Sequence, residues 1–320
     1  MNKLIAHIDP SICSLNLGDY IISDAVDDVS EQVFNKYQVA KIPSQDSWWR
    51  GSYRVLKNAD ISLVGGTNLL SSNMPFYRQW KISPIDIPFK NEIILLGVGW
   101  WQYQGDMNFY TKFLYKKLLS SSYIHSVRDN YTKNKLSEIG LDNVLNTGCP
   151  TMWSLDSKHC EKINKNKANS VVATITDYRP DPESDVRFIN VLINRYKKVY
   201  IWPQGHLDPE YLSAIWQSHW GESILILNRS LRDFDRLLST EDDLDYVGTR
   251  LHAGIRALQY GHRSIILEVD NRAKEKAKTF GLITCERSDS SKIDDLIAGE
   301  FETNIILPSE DIAAWKEQFK

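Results

Sequence analysis

Two residues in the stretch GTRLHAG (248–254) carry a chemical signal: Arg250 and His252 stand two apart where a strand-like run gives way to a helical pattern. The first turn of a helix has unpaired N–H groups and a partial positive charge. An anion there gains from backbone donors, a guanidinium and a protonated imidazole. A lone histidine at a helix start is usually a polar surface group; the neighbouring arginine shifts the expectation toward an anion site. SVRDNYT (126–132) repeats the arrangement, with Arg128 at a strand end and Asp129 at a helix start. Such an arginine can meet a carboxylate or phosphate with two parallel hydrogen bonds. The plainer alternative is a surface ion pair with Asp129 or Glu138.

Other strand ends carry polar or permissive residues. In NLGDY (16–20), Asn16 or Asp19 could cap the following helix or bind a hydroxyl, and Gly18 allows a tight turn. In VGGTNLL (64–70), paired glycines including Gly66 could turn backbone N–H groups toward a ligand or simply make a turn. Trp100 and Trp101 end GVGWW (97–101) as either a sugar platform or core packing. IWPQGHLD (201–208) offers Gln204, His206 and Asp208 as polar contacts in a loop broken by Pro203, with Asp208 as a helix cap the bland alternative. G-x-G-x-x-G, P-loop, G-x-S-x-G and H-E-x-x-H patterns are absent from the sequence. The acidic run Glu241–Asp243 with Asp245 suits a solvated loop better than a metal site, so no metal is expected.

These residues need a scaffold that brings strand ends together. Runs at 4–8, 61–65, 92–99 and 123–127 are strand-like, with helical patterns near 18–35, 106–121 and 130–140. A second set of strands, at 170–176, 198–202, 223–227, 245–249 and 264–269, alternates with helical patterns at 183–197, 208–219, 230–239, 252–261 and 271–280. Nearly unbroken apolar strands separated by helices imply parallel sheets covered on both faces. The strands are too many for one compact sheet. The expected fold is α/β, two Rossmann-like doubly wound domains facing a cleft. They span about 1–155 and 170–305, joined by a polar linker at 156–169, with a C-terminal helix in 306–320 packing back on either domain. Ligands of such sheets sit outside the carboxyl ends of strands.

Composition narrows the function. Of 320 residues, 42% are hydrophobic and 25% charged, and the net charge of −3 gives no basic excess for nucleic acid. The four cysteines lack metal-like spacing and suit a reducing, cytoplasmic setting. The N-terminus does not have the apolar length of a signal peptide, and the longest apolar run, 93–101, is far short of a membrane span. Segment 108–122 mixes Phe, Tyr and Lys at helical spacing and could touch a membrane surface; a core-packed helix with solvated lysines is the favoured alternative.

NLGDYII (16–22), GGTNLL (65–70), SVRD (126–129), TGCPTMWSL (147–155) and YVGTRLHAGIRALQYGHRSIILEVDNR (246–272), in this order, resemble the polysaccharide pyruvyl transferase family. The resemblance implies a GT-B-like pair of Rossmann-like domains. It also implies transfer of pyruvate from phosphoenolpyruvate, as co-substrate without further cofactor, to a sugar of a cell-surface polysaccharide precursor, closing a pyruvate ketal. The acceptor could be lipid-linked, at the inner face of the membrane. Arg128, Arg250 and His252 match the family's donor-binding positions; the family's Lys after the next strand falls on Arg272, with Lys274 two residues on. For such a donor, acid–base chemistry makes His252 the expected general acid or the group that protonates the leaving phosphate, Arg128 and Arg272 the expected holders of the anion and stabilisers of developing charge, and Asp19 or Asp208 the expected acceptor of a hydroxyl proton. Asn16, Asp19, Gly66, Trp100, Gln204 and Asp208 remain for the acceptor. Two other functions fit such a scaffold: a glycosyltransferase using a nucleotide-sugar, and a non-catalytic carbohydrate-binding relative.

Overall fold

The computed structural model describes residues 3–89, 91–269 and 279–320. The chain divides into two compact units: Met1–Ser14, Ile22–Trp153 and Pro308–Lys320 form the first, and Leu15–Ile21 and Ser154–Leu307 the second.

The first unit contains β1 (Lys3–Asp9), the body of α1 (Leu17–Val33), β2 (Tyr37–Pro43), α2 (Arg50–Asn58), β3 (Ile61–Gly65), β4 (Asn68–Leu70), β5 (Glu92–Leu96), β6 (Gly99–Trp100), α3 (Phe109–Leu118), β7 (His125–Val127), α4 (Asn130–Ser137) and β8 (Val144–Asn146). Its main sheet runs β2-β1-β3-β5, all parallel; an isolated parallel bridge joins Ile93 of β5 to Leu119, and another joins Val98 to Val127 of β7. Strand alternation sorts the core into two layers. Ala6, Ile8, Val64, Ile93 and Leu95 pack on one face; Ile5, Leu63, Ile94 and Leu96 pack on the other, against Ile22, Val26 and Val29 of α1. Each of those three helix side chains contributes about 1.5–3 kcal/mol by leaving water. Beneath the end of β1, buried Asp9 accepts the Ser11 N–H and the Ser23 hydroxyl, both at 2.7 Å, and pairs with Lys41 at 3.0 Å.

The second unit contains α5 (Ser157–Cys160), β9 (Ser170–Thr174), α6 (Pro182–Arg195), β10 (Lys198–Ile201), α7 (Asp208–Ile215), β11 (Ile224–Ile226), α8 (Leu231–Thr240), β12 (Leu244–Gly248), α9 (Leu251–Gln259), β13 (Ser264–Glu268), β14 (Thr284–Glu286) and α10 (Ser290–Ala298). Its parallel sheet runs β11-β10-β9-β12-β13-β14. Counted from β9 this is the Rossmann order 3-2-1-4-5-6, whose direction of winding reverses between β9 and β12. The carboxyl ends of those two strands are therefore where the topology opens a ligand crevice.

Segment 156–169, expected as a linker, is folded instead. Asp156 caps α5 by accepting the His159 N–H at 2.8 Å, and Cys160, Ile163 and Ala168 are buried in the second unit. Three small or apolar residues among many Lys and Asn are enough to anchor it. The C-terminal helix α11 (Ser309–Glu317) joins the first unit, where Trp315 is fully buried beside Trp153 and Phe319.

Candidate functional site

In the second unit, β9 and β12 deliver their ends side by side. Arg250 stands two residues past the end of β12. Its N–H donates to Thr174 Oγ1 at 3.1 Å, and its carbonyl accepts the Tyr246 hydroxyl at 2.8 Å, so the backbone is fixed before the side chain is considered. The guanidinium is fixed as well. Nη2 donates to Asp177 Oδ1 at 2.9 Å and to Asp208 Oδ1, and Nε reaches the Ile175 carbonyl at 3.4 Å. Nη1 makes no such bond among the described residues, so one edge of the fork is left for a ligand. Gly205 makes room for this arrangement: a Cβ there would stand 2.3 Å from Arg250 Nη2. His252 lies in the first turn of α9, half-buried, two residues beyond Arg250.

Asp208 and Asp177 share one guanidinium, and their carboxyls are shifted in opposite directions. Burial alone would push both carboxyls up. At Asp208 the Arg250 charge and hydrogen bonds from Asp177 and Gly205 prevail, and its carboxyl lies below its ordinary value. At Asp177 burial and the neighbouring Asp208 prevail over Arg250, and its carboxyl is raised. Asp208 is 1% exposed. Its oxygens accept the N–H groups of Gln204 at 3.0 Å, Gly205 at 2.6 Å and Asp177 at 3.0 Å. The oxygens of Asp208 thus fold the loop and hold Arg250.

The start of α1 belongs to this unit. Asn16 Oδ1 accepts the Gly18 N–H at 3.1 Å and Gln204 Nε2 at 2.9 Å, and the Leu17 N–H donates to the Gln204 carbonyl at 3.2 Å. A Cβ on Gly18 would lie 2.8 Å from Gln204 Nε2, so glycine permits the approach. Gln204 is 3% exposed, and its Oε1 has no hydrogen-bond partner among the described residues. An unsatisfied buried oxygen of this kind suits a hydroxyl donor. Asp19 is buried in the first turn of α1.

In the first unit, Arg128 follows β7 and is 3% exposed. Its N–H donates to the Val98 carbonyl at 3.2 Å, and Nη2 donates to Asn68 Oδ1. Asn68 is aimed there by the turn before it: Gly66 and Thr67 both have left-handed backbone, φ +48° and +49°, a strained conformation for threonine. Gly99 lies under the arginine, where a Cβ would stand 2.2 Å from Nε and 2.6 Å from Asn68 Oδ1. Asp129 takes the structural role, capping α4 by accepting the Thr132 N–H at 2.7 Å.

Gly66 and Trp100 are both packed inside this unit. Gly66 donates its N–H to the Leu96 carbonyl at 2.8 Å and lies against Ile22, so it serves the turn and the packing of α1. Trp100 is 3% exposed, edge-on to Tyr115 and Tyr131, with Nε1 on Gln104 at 3.2 Å; it is core. Arg272 and Lys274 lie outside the described residues. Asn68, Gly99, Asp177 and Gly205 were not singled out from the sequence. Gly99 and Gly205 sit inside motifs that were, but what they make room for lies 29 and 45 residues further along the chain. Among the described residues no cluster of His, Cys, Asp and Glu could hold a metal ion.

A family model described as polysaccharide pyruvyl transferase matches residues 16–271. No sequence match to a curated protein was found. Among solved structures, the UDP-GlcNAc 2-epimerase of Methanocaldococcus jannaschii, in complex with UDP-GlcNAc and UDP, is similar at TM-score 0.54 and 11% identity, covering 99% of each chain. The Neisseria meningitidis UDP-GlcNAc 2-epimerase bound to UDP-GlcNAc gives 0.51 and 14%, over 100% of this chain and 93% of that one. The Rickettsia bellii UDP-N-acetylglucosamine 2-epimerase gives 0.53 and 11%, over 99% and 94%. At these identities the likeness is one of fold, the GT-B-like pair of Rossmann-like units.

Proposed function

The chain belongs to the polysaccharide pyruvyl transferase family, and on that premise we propose that it moves the pyruvyl group of phosphoenolpyruvate onto a sugar, closing a ketal across two hydroxyls. The observation that carries the proposal is Arg250 at the switch point of the second unit. It is held by two carboxylates through Nη2, keeps Nη1 for an anion, and is followed by His252 at a helix start. A small, multiply charged anion suits such a place, where backbone N–H groups, a guanidinium and an imidazole can share its charge.

In the proposed reaction a proton adds to the methylene carbon of the donor, leaving an oxocarbenium-like carbon beside the carboxylate. One sugar hydroxyl attacks that carbon, the C–O bond to phosphate breaks, and a second hydroxyl closes the ketal. The two hydroxyl protons balance those taken up by the methylene carbon and the phosphate. His252 is the proposed proton donor. Arg128 is the proposed stabiliser of negative charge. Asp19 is the proposed acceptor of a hydroxyl proton, and Gln204 with Asn16 the proposed contacts to the sugar.

Phosphate release from phosphoenolpyruvate in the presence of saccharide acceptors tests these assignments. Arg128→Ala and His252→Ala are each expected to lose about 10²-fold or more; undiminished turnover in both would remove them. The epimerase neighbours, two of which were solved with UDP-GlcNAc, give the nucleotide-sugar alternative its support. Thermal stabilisation by a UDP-sugar and not by phosphoenolpyruvate would favour that alternative.

A further inference from the structure

Helix α3 has two apolar sides. Its inner side, Thr111, Leu114, Tyr115 and Leu118, is buried in the core of the first unit. Its outer side carries Phe109 and Phe113, one turn apart, which are 85% and 40% exposed. Lys112, Lys116 and Lys117 accompany them on the same helix. A third exposed ring, Phe76 at 80%, comes from a loop tied to the start of α3. The Asn108 N–H donates to the Ser72 carbonyl at 3.0 Å, Asn108 Nδ2 to Asn73 Oδ1 at 2.5 Å, and the Met74 N–H to Thr111 Oγ1 at 2.9 Å. The ring is therefore carried at the helix start by a braced loop.

The local charge opposes that of the chain. The protein as a whole carries −3, yet residues 107–128 contain no Asp or Glu. Exposed phenyl rings among three lysines, with Asp106 the one acid just before the helix, match an anionic bilayer: the rings can enter the boundary between headgroups and acyl chains, while the ammonium groups stay with the phosphates. A protein interface would be expected to have fewer lysines around its aromatic centre.

We propose that the outer side of α3, together with Phe76, docks on an anionic lipid surface. The proposal stands independently of the reaction assigned above. Among the described residues no helix is long and apolar enough to cross a membrane, so the contact would be peripheral.

The test is co-sedimentation of the full chain with phosphatidylcholine vesicles, with and without roughly a quarter phosphatidylglycerol. Binding is expected only to the anionic vesicles and should weaken steeply as salt rises. Each lysine near such a surface is worth roughly fivefold, so replacing Lys112, Lys116 and Lys117 by Gln should cost roughly a hundredfold. Phe109→Ser with Phe113→Ser should also release the protein at low salt. Lys198→Glu, on the exposed start of β10, should change little. Unchanged melting temperatures would show that the variants are folded. Failure of the wild type to bind, equal binding to neutral vesicles, or equal binding by the lysine variant would overturn the proposal. So would self-association of the wild type that the Phe variant abolishes, which would make the face a contact between copies.

Discussion

Gly99→Ala adds one methyl group under Arg128, and the structure sets how far the arginine must move. Nε lies 2.2 Å from where that methyl would sit, against the 3.4 Å at which ordinary contact begins, so the guanidinium must withdraw by roughly 1.2 Å. The same methyl would crowd Asn68 Oδ1 at 2.6 Å, so the partner that orients the arginine is displaced as well. A shift of about 1 Å in a positioning group is worth about 10² in rate. The expected result is a fall of about that size in kcat/KM for phosphoenolpyruvate, read by phosphate release. The stability cost should be about 1–3 kcal/mol, the usual cost of one extra methyl in a packed site. In an Arg128→Ala background the same substitution should cost almost no further activity, because the group it displaces is gone. Full activity in Gly99→Ala, or an equal loss in both backgrounds, would refute the reasoning.

Three further outcomes follow from the geometry. Asp177 has a raised carboxyl, so as pH climbs through its titration a second negative charge appears beside Arg250 and the KM for an anionic donor should rise. In Asp177→Asn that rise should disappear, a difference of roughly tenfold on the alkaline side of its titration, read from KM against pH in the two proteins. Asp9, held below its ordinary 3.8 by His7, Ser23, Ser11 and Lys41 against the opposing effect of burial, stabilises the fold fully above that value. Its contribution is lost as pH falls through its folded-state value. Asp9→Asn should therefore cost about 1–3 kcal/mol at neutral pH in urea melts and show a shallower loss on acidification. Trp100→Ala should destabilise by about 3–5 kcal/mol in the same melts, as a core truncation does. A selective rise in acceptor KM without loss of stability would instead return Trp100 to a sugar-binding role.

Much of the scaffold was legible because its strands are apolar along their whole length. ISLVG and EIILL pack on both faces, and such runs announce a covered parallel sheet. Strand β2, YQVAKIP, escaped: it lies at the sheet edge, and Gln38, Val39 and Lys41 face solvent, so it has no continuous apolar run. The expected strand 92–99 stops at Leu96, because Gly97 adopts φ +66° and turns the chain before β6. Arg128 and Arg250 are marked in the sequence by their place at strand ends. What holds them is not, since Asn68 and Asp177 lie 60 and 73 positions away in sequence. The surroundings of Asp208 and Trp100 are hidden for the same reason: residue type advertises chemistry, while burial and pairing depend on distant neighbours. The membrane-facing pattern of 108–122 was weighed against core packing as if one excluded the other, whereas α3 buries one side and exposes rings on the opposite one.

The central claim is that this chain transfers a pyruvyl group from phosphoenolpyruvate. Incubation of the purified protein with phosphoenolpyruvate and a panel of saccharides, followed by mass measurement of the saccharide and assay of phosphate, tests it most directly. The account predicts an acceptor heavier by pyruvic acid less water, with one phosphate released per acceptor modified. Unmodified acceptors throughout, with turnover appearing only when a nucleotide-sugar replaces phosphoenolpyruvate, would contradict it.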